Sequence, residues 1–112
     1  MTRPHAPTAA LDAALDVLVR RIVEIARPDR IILFGSAARG DMGPDSDIDL
    51  LVVKTDVEHR GHLAQEIYLH LPSVDIPVDV VVVTPEDIER FKDRVGTVIR
   101  PAMRDGREIY AA

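Results

Sequence analysis

The chain contains no cysteine, and this absence removes disulfide scaffolds, cysteine-ligated metal centres and thiol nucleophiles together. It leaves the redox compartment open beyond compatibility with a reducing cytosol. No stretch approaches the roughly 20 apolar residues that a membrane span needs. The opening Met-Thr-Arg-Pro-His-Ala-Pro is not followed by an apolar run long enough for a secretory signal. Surplus positive charge is also missing. Fourteen basic residues face nineteen acidic ones, a net charge of −5, so the phosphate-neutralising footprint of a nonspecific nucleic-acid binder is absent. A soluble, cytoplasmic protein is expected, with no internal repeat and no low-complexity segment.

What is present suits one compact unit. At 112 residues, 46% hydrophobic and 29% charged, the chain has ordinary globular composition and hides roughly two-thirds of its unfolded surface on folding. Residues 1–7, with two prolines and no periodicity, read as a loose tail ahead of a single domain over 8–112. From Thr8, the positions Leu11, Leu15, Leu18, Ile22 and Ile25 step by four, three, four and three, a helical stripe that Pro28 ends. The apolar run Ile31-Ile-Leu-Phe34 reads as a strand buried on both faces. Gly35-Ser36 closes it, and Ala37-Ala-Arg39 reads as a turn or two of helix. A second strand is expected over 47–54, a helix over 58–71 with Leu63, Ile67 and Leu71 inward, and a third strand over 77–83. Thr84-Pro-Glu-Asp87 opens a helix with core face Ile88, Phe91 and Val95. Gly96 breaks it, Thr97 caps another helix through Met103, Gly106 ends that, and 108–110 forms a last strand. The order α-β-α-β-α-β-α-α-β predicts an α/β or α+β domain on a small sheet.

The acids carry the chemistry. Aspartate outnumbers glutamate thirteen to six, although it is a poor strand former and costly when buried unpaired. Asp47, Asp49 and Asp79 nevertheless begin or enter apolar strands. Residues two apart on a strand share a face, so Asp47 and Asp49 project together with Cα atoms roughly 6.5–7 Å apart. A hard divalent cation, Mg²⁺ above all, suits such an oxygen-only pair. The connection of about twenty residues between the second and third strands marks a parallel crossover, which brings Asp79 to the same sheet edge. If the first strand runs antiparallel to the second, Gly35-Ser36 reaches that edge too. There glycine lets a backbone approach phosphate oxygens, and a helix starting at Ser36 offers free N–H groups.

Gly35-Ser36, ten residues, then Asp47-Ile-Asp49 resembles the Gly-Ser-x10-Asp-x-Asp motif of the DNA polymerase β nucleotidyltransferase superfamily. The longer string Phe34-Gly-Ser-Ala-Ala-Arg-Gly-Asp41 with Ser46-Asp-Ile-Asp-Leu-Leu-Val52 resembles its minimal nucleotidyltransferase (MNT) branch, the antitoxin half of HEPN–MNT toxin–antitoxin pairs. The likeness runs from about Ile31 to Val83, with a looser match in Arg104-Asp-Gly-Arg-Glu-Ile-Tyr110. It implies a polymerase β-like core, a small mixed sheet flanked by helices. It further implies transfer of AMP from ATP, with Asp47 and Asp49 holding two Mg²⁺ ions and Asp79 completing the site before the acceptor hydroxyl. Gly35 and Ser36 would hold the β- and γ-phosphates, and Arg39 stands beside them as a further nucleotide contact or a solvated helix residue. The implied acceptor is a tyrosine of a HEPN ribonuclease.

Other residues are read more plainly. His59 and His62, three apart on a helix, lack a third ligand for zinc and are taken as surface residues. Lys54 is read as solvated, Asp41 and Asp45 as turn formers, and Tyr68 and Tyr110 as rings on the surface of the core. Two other functions compete. One is a nucleotidyltransferase for a small molecule or RNA, working as a homo-oligomer whose neighbour supplies the acceptor pocket. The other is an antitoxin that neutralises by binding alone. Relatives acting on small molecules or RNA carry added acceptor domains for which 112 residues leave no room, and a pure binder has no need of mutually repelling acids.

Overall fold

The structure, a computed structural model, describes residues 6–43 and 45–112. Its elements run α1 (Ala6–Ala26), β1 (Arg30–Phe34), α2 (Ser36–Arg39), β2 (Ile48–Val53), α3 (Arg60–His70), β3 (Val78–Val83), α4 (Pro85–Phe91), α5 (Ile99–Asp105) and β4 (Arg107–Ala111). The four strands form one mixed sheet in the order β3-β2-β1-β4. Strand β1 is antiparallel to both β2 and β4, and β2 is parallel to β3. This is an α+β architecture, a small mixed sheet flanked by helices, as expected. No helix among the described residues is long and apolar enough to cross a membrane.

The alternation of side chains along the strands sends apolar residues to both faces. Ile31, Leu33, Ile48, Leu50, Val52, Val80 and Val82 pack with the buried stripe of α1 and with Ile67 of α3. Ile32, Leu51, Val53 and Val83 pack on the other side with Ile88 of α4 and with Ile99 and Ala102 of α5. In α1, Leu11, Leu15, Leu18 and Ile22 are buried and Ile25 is half-buried, so the expected stripe is the one that meets the sheet. The helix begins at Ala6, two residues before Thr8. Of the expected tail, residues 1–5 lie outside the described residues.

Two expectations need correction. Helix α4 stops at Phe91, so Val95 is not on its core face but 76% exposed. The chain turns away after Lys92, where the Arg94 amide bonds the Phe91 carbonyl and the Thr97 hydroxyl bonds the Arg94 carbonyl. Those local bonds replace a further helical turn. Gly106 is the C-cap of α5, as expected, with an extended φ of −75° and its amide donating to the Ala102 carbonyl. Glycine is required because a Cβ there would collide with the Ala102 carbonyl oxygen and with Ile32 Cγ2. Second, Lys54 is not merely solvated, since its ammonium donates to the Arg27 carbonyl at 3.3 Å. Pro101 is the third residue of α5, where its missing N–H has no intrahelical partner to lose.

Helix α4 starts on a reciprocal capping box. The Thr84 hydroxyl accepts from the Asp87 amide at 3.1 Å, and the Asp87 carboxylate accepts from the Thr84 amide at 3.0 Å. The same carboxylate takes both arms of the Arg60 guanidinium, at 2.6 and 2.9 Å, which ties the start of α3 to the start of α4. The Arg60 bond, foremost among its contacts, and the two Thr84 bonds hold the Asp87 carboxyl below its ordinary value of 3.8 against the opposing effect of burial. A depressed acid stabilises the fold while ionised, so this contribution is present above pH 3.8 and lost as the pH falls through the folded value. Urea unfolding should show Thr84→Ala losing about 1 kcal/mol, with Thr84→Ser retaining most of it. Asp87→Asn should remove the part of the acid dependence that this carboxylate supplies.

Candidate functional site

The site edge begins where β1 ends. Gly35 has φ 75° and ψ −156°, a region that in practice only glycine occupies. An added Cβ would also run into Oδ2 of Asp49. Two independent constraints, backbone angle and space, therefore require glycine, and both arise because the Asp49 carboxylate lies against the Gly35 backbone. The antiparallel register agrees, pairing Phe34 with Asp49.

Asp49 is also paired across the parallel ladder with Asp79, and adjacent strands lie about 4.8 Å apart. Asp47 stands two residues earlier, just before β2. Its approach is fixed where the Ile48 amide bonds the Pro77 carbonyl at 2.8 Å. The loop leading there closes on itself, with the Gly43 amide donating to the Ser46 hydroxyl at 2.8 Å. By strand alternation the three acids share the face of Leu51, Val53, Val81 and Val83. Helix α5 covers the part of that face formed by Ile32, Leu51 and Val53. At the acid end Asp47 and Asp49 are half-buried and Asp79 is exposed.

Electrostatics follows from this crowding. Burial first, then the Asp79 carboxylate, then that of Asp47 push the Asp49 carboxyl above its ordinary value of 3.8. The set has the donor chemistry for a divalent cation: oxygen ligands only, with no salt bridge to a basic side chain among the described residues. Among the described residues no three His, Asp or Glu side chains are gathered closely enough to hold a metal ion between them.

The remaining expected residues divide. Ser36 is the first residue of α2, next to Gly35, and half-buried. Helix α2 has only four residues, too few to build a long helix dipole. Arg39 ends α2, exposed, with its guanidinium 3.3 Å from Asp41. Asp41 is thus an ion-pair partner as well as a turn residue. His59 caps α3 by accepting from the His62 amide at 3.2 Å, and the two rings stack with centroids 3.7 Å apart. Sequence reasoning missed one feature, an apolar cleft of about 390 Å³ beside the acid edge, lined by Ala10, Met42, Ser46, Ile76 and Pro77 among others. No spacing signals it, because it forms only when α1 packs across two distant loops.

Two outcomes are expected from this geometry. Gly35→Ala should cost roughly 1–3 kcal/mol of stability from backbone strain, measured by urea unfolding. A raised acid favours the folded state below pH 3.8 and loses that advantage as pH rises through the folded value. Asp49→Asn should therefore stabilise the metal-free protein at neutral pH, with the gain shrinking towards pH 3.8 and below.

Comparison with known proteins agrees with this arrangement. The sequence profile described as Nucleotidyltransferase domain matches residues 15–105. No curated protein sequence is significantly similar to the chain. Among solved structures, a Sulfolobus solfataricus protein assigned as a nucleotidyltransferase superposes with a TM-score of 0.57 at 21% identity, covering 91% of this chain and 86% of its own. A toxin–antitoxin complex with AMP-PNP contains a chain with TM-score 0.51 and 24% identity, over 83% of this chain and 73% of that one. A variant of the MntA–HpeT toxin–antitoxin complex gives 0.53 and 22%, over 84% and 71%. At these identities the structures show a shared fold. The profile match spans most of the sequence and includes the Gly35 turn and all three acids, and on that ground the chain belongs to the nucleotidyltransferase-domain family.

Proposed function

We propose that this protein transfers AMP from ATP to a tyrosine hydroxyl of a HEPN ribonuclease and so acts as its antitoxin. The observation that carries the reading is the packing of Asp49 against Gly35 on one side and its registration with Asp79 on the other. That contact sets a glycine turn able to admit phosphate beside carboxylates able to hold its counter-cations. Family membership supports nucleotidyl transfer, and similarity to chains from toxin–antitoxin complexes, one of them with AMP-PNP, supports the partner and the nucleotide.

In this reading Asp47 and Asp49 hold two Mg²⁺ ions and Asp79 completes the set on the acceptor side. Bound divalent ions supply charge neutralisation at the attacking and leaving oxygens of an in-line displacement. The chain's own contribution is positioning. Gly35 and Ser36 receive the β- and γ-phosphates, and Arg39 exchanges Asp41 for a phosphate oxygen. The phenol oxygen forms a bond to the α-phosphorus as the bond to pyrophosphate breaks. Asp79, exposed at the edge, is placed to receive the phenolic proton. The added phosphate then puts negative charge where a ribonuclease binds an RNA backbone.

The test is incubation of the purified protein with a HEPN partner, labelled ATP and Mg²⁺, followed by intact mass measurement. The partner should gain AMP in whole-number steps, and EDTA should stop the gain. Asp49→Asn should slow transfer by at least about 10²-fold, and the Asp47→Asn/Asp49→Asn double variant should abolish both transfer and rescue of toxicity. Full rescue by the double variant would establish neutralisation by binding instead. Mass gain on RNA or a small molecule, with none on the partner, would assign a different acceptor.

A further inference from the structure

On the α1 side of the sheet, the cleft noted above does not end at Ala10. A second depression of about 290 Å³ shares Ala10, Asp75 and Ile76 with it and continues past Ala13, Val17 and Val74. The two form one groove along the N-terminal half of α1. Ala10, Ala13 and Val17 recur at spacings of three and four, so they share one helix face. All three are exposed, Val17 to 43%. Small residues there leave room for another chain's backbone, and the combined space is within the range of ordinary binding clefts.

Two observations say what fits. The first is continuity. Ser46 and Pro77 line the groove where it meets the sheet edge, and the Ile48 amide bonded to the Pro77 carbonyl holds those two loops together. Asp47 follows Ser46 directly, and Asp79 lies two residues beyond Pro77. A segment leaving the groove over this rim arrives at the acids. The second is charge. Asp75 is the charged residue lining both depressions, Asp45 and Asp47 flank Ser46, and among the described residues no cation lines either depression. A phosphate backbone is repelled there, while a cationic side chain beside apolar ones is matched.

We infer that this groove is the docking site for the acceptor protein, which lays into it a segment combining apolar and basic residues and delivers its hydroxyl over the Ser46–Pro77 rim to Asp79. The inference rests on the transferase reading of the acid edge and adds the surface that selects the acceptor. Recognition by a groove on the transferase separates choice of acceptor from chemistry, so the two should be separable by mutation.

The test uses two fluorescent synthetic peptides of equal length, each centred on Tyr-Leu and flanked by arginines in one and glutamates in the other. Binding to the full chain is read by anisotropy without nucleotide, which makes it independent of catalysis. The basic peptide should bind and the acidic one should not. Ala13→Arg, at an exposed position, should weaken the basic peptide by about tenfold or more, the size of one lost anchor. Thermal unfolding and binding of a fluorescent ATP analogue should stay unchanged. Asp75→Lys should shift preference towards the acidic peptide. Equal binding of both peptides, binding of neither, indifference to Ala13→Arg, or displacement of the basic peptide by a single-stranded oligonucleotide overturns the inference. Peptide binding without AMP transfer to any protein overturns the transferase reading alone, whereas transfer to a protein acceptor that ignores Ala13→Arg overturns the groove alone.

Discussion

Asp49 and Asp79 face each other on neighbouring parallel strands, close enough for the Asp79 carboxylate to disfavour ionisation of Asp49. Water screens such repulsion poorly when one of the pair is half-buried, and the arrangement relaxes only if the strands separate or the side chains turn away. Neither is easy here. Beyond the acids, the two strands continue as a ladder of valines and leucines packed on both sides, so parting them would expose the core of the protein. The apolar sandwich thus holds the repelling pair together, and its stability is what keeps two negative charges side by side at this edge. Gly35 closes the third side by letting a backbone lie where any side chain would push Asp49 away.

The sheet order explains why so short a chain can assemble this. An antiparallel turn from β1 to β2 brings the end of one strand beside the start of the next, and the parallel crossover through α3 brings a second strand start to the same edge. Three consecutive strands therefore contribute their site-bearing ends without any long-range threading. Helix α5 and strand β4 finish the far half of the sheet, with Gly106 allowing the closest approach of α5 to Ile32.

Much of this was legible in the order of residues. The stripe Leu11–Ile25 indicates its helix because periodicity is a local property of the chain. The strand-entering aspartates stand out because their burial needs a chemical reason. The crossover length was enough to predict that Asp79 would join Asp47 and Asp49 at one edge. What escaped depends on contacts between distant segments. Val95 continues the helical pattern of 88–91, yet the local bonds around Thr97 end α4 first. Gly106 is the cap its neighbours suggest, but the steric need for glycine there is set in part by Ile32, more than seventy positions away. The Arg60–Asp87 pair and the groove along α1 have no linear signal at all, since each is made where two elements happen to meet.

Strand β3 lies at the margin of the sheet, and its outward amides are of the kind that recruit foreign strands into aggregates or complexes. The Val80 amide, directly after Asp79, instead donates to the Tyr68 hydroxyl at 2.6 Å. A phenol reaching over from α3 thus caps the hydrogen-bonding position nearest the acids. Association by strand addition, a common way for proteins to seize an open sheet, is obstructed at the point where it would crowd Asp79. Visitors to this edge are left to engage through side chains, and the sheet keeps its register when they depart.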